Sequence, residues 1–287
     1  MQTMTIGRGI AACARGMRAW FPRLSAAMLA AGVATAVTLP AHAITPLTPA
    51  MDSFTIQPGQ TIHRDLNCGT GNKAVGGGAL TQTPFTRVWR SWPDSASQNT
   101  WHISVTSFNN VAETVWVRAT CATGFVSFEN FAGSTGSFAT NTFATGTATC
   151  DSARTSMGGG FIAPNANFAI VSSHVQGSGW RVRAFNASGA SNQVGVIVTC
   201  AGSSVGTRSI TTQTTTVAPG GAVFPITSCA SGQWLASGGF RSTVDTNWTI
   251  VTGDLPDSSN FKAWKWNLKN LDTVSHTYDR TLVCFDL

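Results

Sequence analysis

Hydrophobic positions in this chain recur with a period of two. Counting back by twos from Cys121 gives Ala119, Val117 and Val115; from Cys200, Val198, Val196 and Val194; from Cys284, Leu282, Arg280 and Tyr278. Alternation rich in β-branched side chains predicts half-buried strands whose inward face carries the cysteine. Arg280 is the one misfit. Counting forward from three tryptophans gives a second set of strands: Trp101, Ile103, Val105; Trp180, Val182, Ala184; Trp264, Trp266, Leu268. A loop with asparagine follows each (Asn109-Asn110, Asn186, Asn270), and the chain returns to the cysteine strand as a hairpin. The Ala/Glu/Lys/Leu mixture of helical bundles is missing.

These strands belong to a repeat. Cys68, Cys150 and Cys229 are each followed eight residues later by Gly76-Gly77-Gly78, Gly158-Gly159-Gly160 and Ser237-Gly238-Gly239. Trp101, Trp180 and Trp264 each stand 20 residues before Cys121, Cys200 and Cys284. Copies one and three share two more features, Pro58-Gly59 with Pro219-Gly220 and Pro93-Asp94-Ser95 with Pro256-Asp257-Ser258. Constant register over so many features predicts three tandem β modules, at 44–124, 125–203 and 204–287. The expected fold is all-β: antiparallel, sandwich-like modules with an internal pseudo-three-fold repeat.

The glycines read as packing sites. No helical run follows them, so a phosphate-cradling loop is not indicated. A tryptophan laid over a glycine strand would cover it, and the repeated Trp101, Trp180 and Trp264 are the expected partners.

The N-terminus changes the reading of the charge. Residues 1–43 contain no Asp or Glu; Arg8, Arg15, Arg18 and Arg23 precede an apolar stretch from Leu24 to Leu39, then Ala41-His42-Ala43. A basic region, a short apolar region and an A-x-A site predict a cleaved secretory signal peptide. Translation from Met17 would give a leader of more usual length. The formal charge of +6 loses those four arginines on cleavage, leaving fourteen Lys and Arg against twelve Asp and Glu. That near-neutral balance removes the main argument for nucleic acid as a partner. No second long apolar run follows, so no transmembrane anchor is expected after cleavage, and the product reads as secreted or periplasmic.

Cys13 leaves with the leader, and six cysteines remain. An even number in an exported chain predicts disulfides. No two cysteines have C-x2–4-C spacing, so no metal site is expected, and no motif implies a cofactor. Among the fifteen connectivities open to six cysteines, the repeat favours one staple per module: Cys68–Cys121, Cys150–Cys200 and Cys229–Cys284. Closing a loop of about 50 residues contributes on the order of 4 kcal/mol in the chain-entropy account.

The order Pro-Gly, Cys, Gly-Gly-Gly, Trp, Asn, alternating Val, Cys resembles a largely uncharacterised module of secreted bacterial proteins, commonly found in tandem. The resemblance covers nearly all of 50–287 and implies export and a β fold; it brings no assigned activity. Copy two departs from it by lacking Pro-Gly and Pro-Asp-Ser.

Candidate chemistry is sparse. There is no G-x-S-x-G elbow and no H-E-x-x-H, and His63-Arg64-Asp65, the densest polar cluster, reads as a solvated strand edge. Binding is the better expectation. Trp116 and Arg118 sit at odd offsets from Cys121 and should face outward; Trp92 precedes the loop of Asp94, and Asp257 holds the matching place in copy three. Aromatic platforms beside polar groups suit sugar rings, whereas outward tryptophans could equally form seams between modules. Arg181, Arg183, Lys265 and Lys269 make basic stripes that could meet anionic polysaccharide or simply blunt strand edges. The expectation is a non-enzymatic binding protein for an extracellular glycan or a cell-surface protein. An envelope adhesin is the alternative, and a hydrolase with a site in one module is the third reading.

Overall fold

The computed structural model describes residues 44–202, 205–244 and 249–287. The expected leader, 1–43, and Trp248 lie outside the described residues. The described residues cluster as one compact unit. Nineteen strands are found among the described residues, and the pairing is antiparallel throughout. The all-β prediction holds.

Module one supplies β1 (Thr45–Ile56), β2 (Thr61–Asn67), β3 (Lys73–Leu80), β4 (Thr86–Pro93), β5 (Thr100–Ser107) and β6 (Glu113–Thr123). Module two supplies β7 (Phe128–Ser134), β8 (Phe143–Thr149), β9 (Arg154–Ile162), β10 (Phe168–Gln176), β11 (Gly179–Asn186) and β12 (Gly195–Gly202). Module three supplies β13 (Arg208–Val217), the fragments β14 (Ala222–Val223) and β15 (Ile226–Ser228), β16 (Gln233–Ser242), β17 (Thr249–Pro256), β18 (Ala263–Asn270) and β19 (His276–Asp286).

Each copy pairs its strands in the same way. The cysteine strand lies between the first strand and the glycine strand: β1-β6-β3, β7-β12-β9 and β13-β19-β16. The tryptophan strand lies between the other two: β4-β5-β2, β10-β11-β8 and β17-β18 with β14 and β15. The glycine strand then pairs with a neighbouring copy, β3 with β17, β9 with β4 and β16 with β10. The register is equivalent at all three joints, Leu80↔Gly253, Ile162↔Arg90 and Arg241↔Ser172. Module one joins three, three joins two and two joins one, so the pairings close a ring. Each run of strands is therefore shared between two modules: β1-β6-β3-β17-β18-β14, β13-β19-β16-β10-β11-β8 and β7-β12-β9-β4-β5-β2. A single pair, Ser134↔Thr147, fuses the last two, of six strands each, into one twelve-stranded sheet, while the first, with β15, makes a seven-stranded sheet.

The three predicted disulfides form, with Cα separations of 5.6 to 5.8 Å. Cys68, Cys150 and Cys229 follow β2, β8 and β15, beside the tryptophan strand, and their partners lie on the cysteine strands β6, β12 and β19. Each bridge ties together the two groups of strands that one copy contributes.

The glycine triplets explain the ring. A Cβ on the middle residue, Gly77, Gly159 or Gly238, would strike the ring of Trp101, Trp180 or Trp264, all fully buried. A Cβ on the third, Gly78, Gly160 or Gly239, would strike the backbone carbonyl of Asp254, Ser91 or Ser173 on the neighbouring copy. The first position touches the next copy as well: Gly76 lies against Ala236 and Ser237, and Gly158 against Val75. Packing, not ligand binding, accounts for the motif.

A bulge precedes each triplet. Val75, Met157 and Ala236 are skipped by the ladder to the cysteine strand, so their carbonyls need other partners. Thr199 Oγ1 donates to Val75 O at 3.1 Å, Thr120 Oγ1 to Ala236 O at 2.5 Å, and Ser237 Oγ to Met157 O at 2.7 Å. Copy three carries Val283 where the others carry Thr120 and Thr199, and serine where they carry the first glycine. Its hydroxyl has moved strands, and every bulged carbonyl still receives one.

Two sequence expectations are corrected. Asn186 and Asn270 end their strands fully buried, each binding across its loop, but the equivalent residue of copy one is Ser107, not Asn109. The misfit Arg280 points inward after all. It is buried beside the Trp266 ring and donates to Thr227 Oγ1 at 2.9 Å and Gln213 Oε1 at 3.2 Å, while desolvation lowers its pKa.

Candidate binding surfaces at the module seams

Beside each joint, one residue of the fourth strand faces one of the fifth: Trp92↔His102, His174↔Arg181 and Leu255↔Lys265. The backbone is the same three times and the chemistry is not.

In copy one, Trp92 is half-buried and its ring lies 4.7 Å from that of His102, inclined by 30°. His102 Nδ1 is 2.7 Å from Asp65 Oδ1, and its Nε2 is 4.0 Å from Asp94 Oδ1. Asp94 is held by its own loop, accepting from Ser97 Oγ, Ser97 N and Ala96 N. Those bonds, the Ser97 hydroxyl foremost, hold its carboxyl below the usual range. Asn130 of copy two donates to Asp94 O at 2.9 Å, which fixes the loop against the seam. Predicted Trp92 and Asp94 thus come together, joined by His102 and Asp65. The result is an aromatic stack with a carboxylate rim.

The other predicted residues belong to a different seam. Trp116 and Arg118 share the outer face of β6, both half-buried. Arg118 Nη1 donates to Pro256 O of copy three at 2.9 Å. Asp257 is buried, accepts from Ser259 N and Oγ, and lies 3.9 Å from Lys265 Nζ. Burial lowers the Arg118 pKa, with Asp257 opposing it. Arg118 and Asp257 act here as inter-module ties, and Trp116 is not gathered with Trp92. The repeated Trp101 and Trp180 donate from Nε1 to Ser91 and Ser173 Oγ, whereas Trp264 donates to Asp254 Oδ1 at 2.5 Å.

Asp254 was missed from sequence, although it occupies the serine position of the other two copies. With Ser91, Ala79, Phe161 and Phe240 it lines a cavity of about 40 Å³ where the modules meet, enough for a few waters. Desolvation pushes its pKa up to about 8 against the opposing bond from Trp264.

A second feature, of which the sequence showed only the Arg181–Arg183 stripe, is a groove of about 290 Å³ lined by His174, Arg181 and Arg183 of copy two and by Arg241 and Ser242 of copy three. No single stretch of sequence carries it, because the joint of β10 with β16 brings the two copies together.

Ser104 Oγ lies 2.7 Å from His63 Nδ1, the nearest approach to an activated hydroxyl. Ser104 is fully buried, so this pair offers a substrate no access. No protein-family model matches the chain, and no curated protein matches it. Among the described residues, no helix is long and apolar enough to cross a membrane. Three disulfides suit an oxidising compartment.

Proposed function

We propose that the protein is an exported, non-enzymatic binding protein whose ligand class is carbohydrate. The observation that carries this reading is the Trp92–His102 stack with Asp94 and Asp65 at its edge. An aromatic face takes the C–H side of a sugar ring, and flanking carboxylates accept from its hydroxyls. The surface sits on paired strands and a loop tied by its own hydrogen bonds, so little ordering entropy opposes binding. A glycan array probed with the protein lacking residues 1–43 tests the reading. Binding to a restricted set of saccharides is expected; no binding to any, with a protein partner recovered instead, overturns it.

An envelope adhesin is the second reading. It is favoured by Phe85, Phe108 and Val111, exposed side chains on neighbouring loops of copy one, where Phe108 N donates to Phe85 O at 2.8 Å.

A further inference from the structure

The cavity that Asp254 lines draws its walls from all three copies, and from equivalent positions in each. Val88, Ile170 and Val251 each stand just before the bulge of the strand that meets a neighbouring copy. The residue after each glycine triplet is Ala79 in copy one, Phe161 in copy two and Phe240 in copy three. The joints set Ser91 beside Phe161 and Ser173 beside Phe240 and, by the same register, Asp254 beside Ala79. Two joints thus carry a serine and a phenyl ring, and the third carries an aspartate and a methyl group. A whole ring is lost there, and the longer acidic side chain returns only a carbon and an oxygen. Ala79 and Asp254 both line the space that is left.

Ser91 and Asp254 are its polar side chains. Ser91 is already engaged, accepting from Trp101 Nε1 at 3.0 Å and donating to Gly77 O at 3.4 Å. Asp254 Oδ1 accepts from Trp264 Nε1 at 2.5 Å, and among the described residues no bond engages Oδ2. Waters filling the cavity would each need several polar partners, which a single carboxyl does not supply. An anion would find no cationic group in the lining, and a cation would give up its hydration for one carboxyl among apolar walls.

We infer that this cavity is a binding site for a small neutral molecule carrying one hydrogen-bonding oxygen on a short apolar body, held by Asp254 against Phe161, Phe240 and Val251. Short alcohols and ketones are the chemical class. The oxygen accepts from the Asp254 carboxyl, and the body takes the place of the missing ring. The site is independent of the carbohydrate reading and of the Trp92 surface.

Binding is tied to a proton. Desolvation, against the bond from Trp264, places the Asp254 pKa at about 8, so at pH 7 the empty cavity holds a carboxylic acid able to donate. No charged neighbour contributes to that shift. On the strands packed around it, Arg87 and Arg90 donate to Ala166 O and Ala163 O, Arg118 donates to Pro256 O, Arg241 pairs with Asp279, and Lys265 lies near Asp257. A ligand that accepts this proton raises the pKa further. Its affinity is complete below about pH 8 and falls as pH rises above that value.

NMR titration of the protein with 2-propanol, acetone and isopropylammonium at pH 6 and pH 9 tests the site, read at the Val88 and Val251 methyl groups. The two neutral probes should give saturable shifts at pH 6 with Kd on the order of 1 mM, weakened about tenfold at pH 9. Asp254→Asn keeps the shape without the charge and should bind them equally at both pH values. Ala79→Phe combined with Asp254→Ser rebuilds the pair that the other two joints carry, so it should fold, with melting checked, and abolish the shifts. Absence of a saturable shift with either neutral probe, or shifts that survive the double substitution, overturns the site. Neutral probes bound equally at the two pH values by the unaltered protein overturn the role of the Asp254 proton. Isopropylammonium bound more tightly at pH 9 than either neutral probe at pH 6 overturns the neutral class.

Discussion

The glycine layer and the seam pairs beside it are built from the same strands, yet one repeats three times and the other does not. At the glycine layer each side chain is dictated by a neighbour's atoms. Gly77, Gly159 and Gly238 each receive a tryptophan, and each bulged carbonyl receives a hydroxyl. Copy three departs in two residues at once, Ser237 and Val283, and the two changes cancel. One residue along the glycine strand's neighbour, the constraint on the side chain is gone. Trp92–His102, His174–Arg181 and Leu255–Lys265 share a register and nothing else. Where neighbouring atoms fix the residue the copies agree; at the adjoining pairs, with Trp92 half-buried and His174 and Leu255 buried, they differ.

The most damaging way to break this contrast is a side chain in the layer itself. Gly77→Val should cost about 3 kcal/mol or more, because a branched Cβ meets a fully buried indole, and denaturant melts should show it. The hydroxyl exchange gives a finer test. Ser237→Gly strips the donor from Met157 O and should cost roughly 1–3 kcal/mol. Adding Val283→Thr to it recreates the arrangement of the other copies and should recover most of that loss. A double-mutant cycle showing simple additivity would contradict the assignment.

Asp254 is the layer's electrostatic oddity. Its folded pKa, about 8, lies above its ordinary value, so between those two values the folded state holds a proton that the unfolded chain has released. Stability therefore falls as pH rises towards 8 and levels off above it. The melting temperature should drop between pH 7 and pH 8, and Asp254→Ser, the residue of the other copies, should remove that slope. At the far end of the scale, Trp92→Ala removes a half-buried ring outside the glycine layer and should change stability by only about 1 kcal/mol, read by thermal melting.

Much of the fold was legible because alternation and spacing are local. The strands beside Trp101, Trp180 and Trp264, the three disulfides and the fit of glycine to tryptophan all follow from residues within one copy. The ring was not legible, since nothing in β3 says that its free edge will meet β17 rather than β4. The same gap hid the basic groove, whose Arg181 and Arg241 come from different copies. The asparagine loops misled for another reason. Ser107 does in copy one part of what Asn186 and Asn270 do elsewhere, while Asn109 happens to lie near. Copy two lacks Pro-Asp-Ser because its β10–β11 connection is a tight hairpin pairing Gln176 with Gly179, three residues shorter than its counterparts. Of the five candidate ligand residues, Trp92 and Asp94 meet around His102. Arg118 and Asp257 were drawn instead into a seam, a choice that offset along a strand cannot reveal.

The account's central claim is that the side chains departing from the repeat carry recognition. The most direct test is the affinity of Trp92→Ala, beside the unaltered protein, for the best saccharide found on the array. The account predicts binding weakened by about tenfold or more, with the melting temperature nearly unchanged. Equal affinity in the two proteins would contradict it and place the ligand elsewhere.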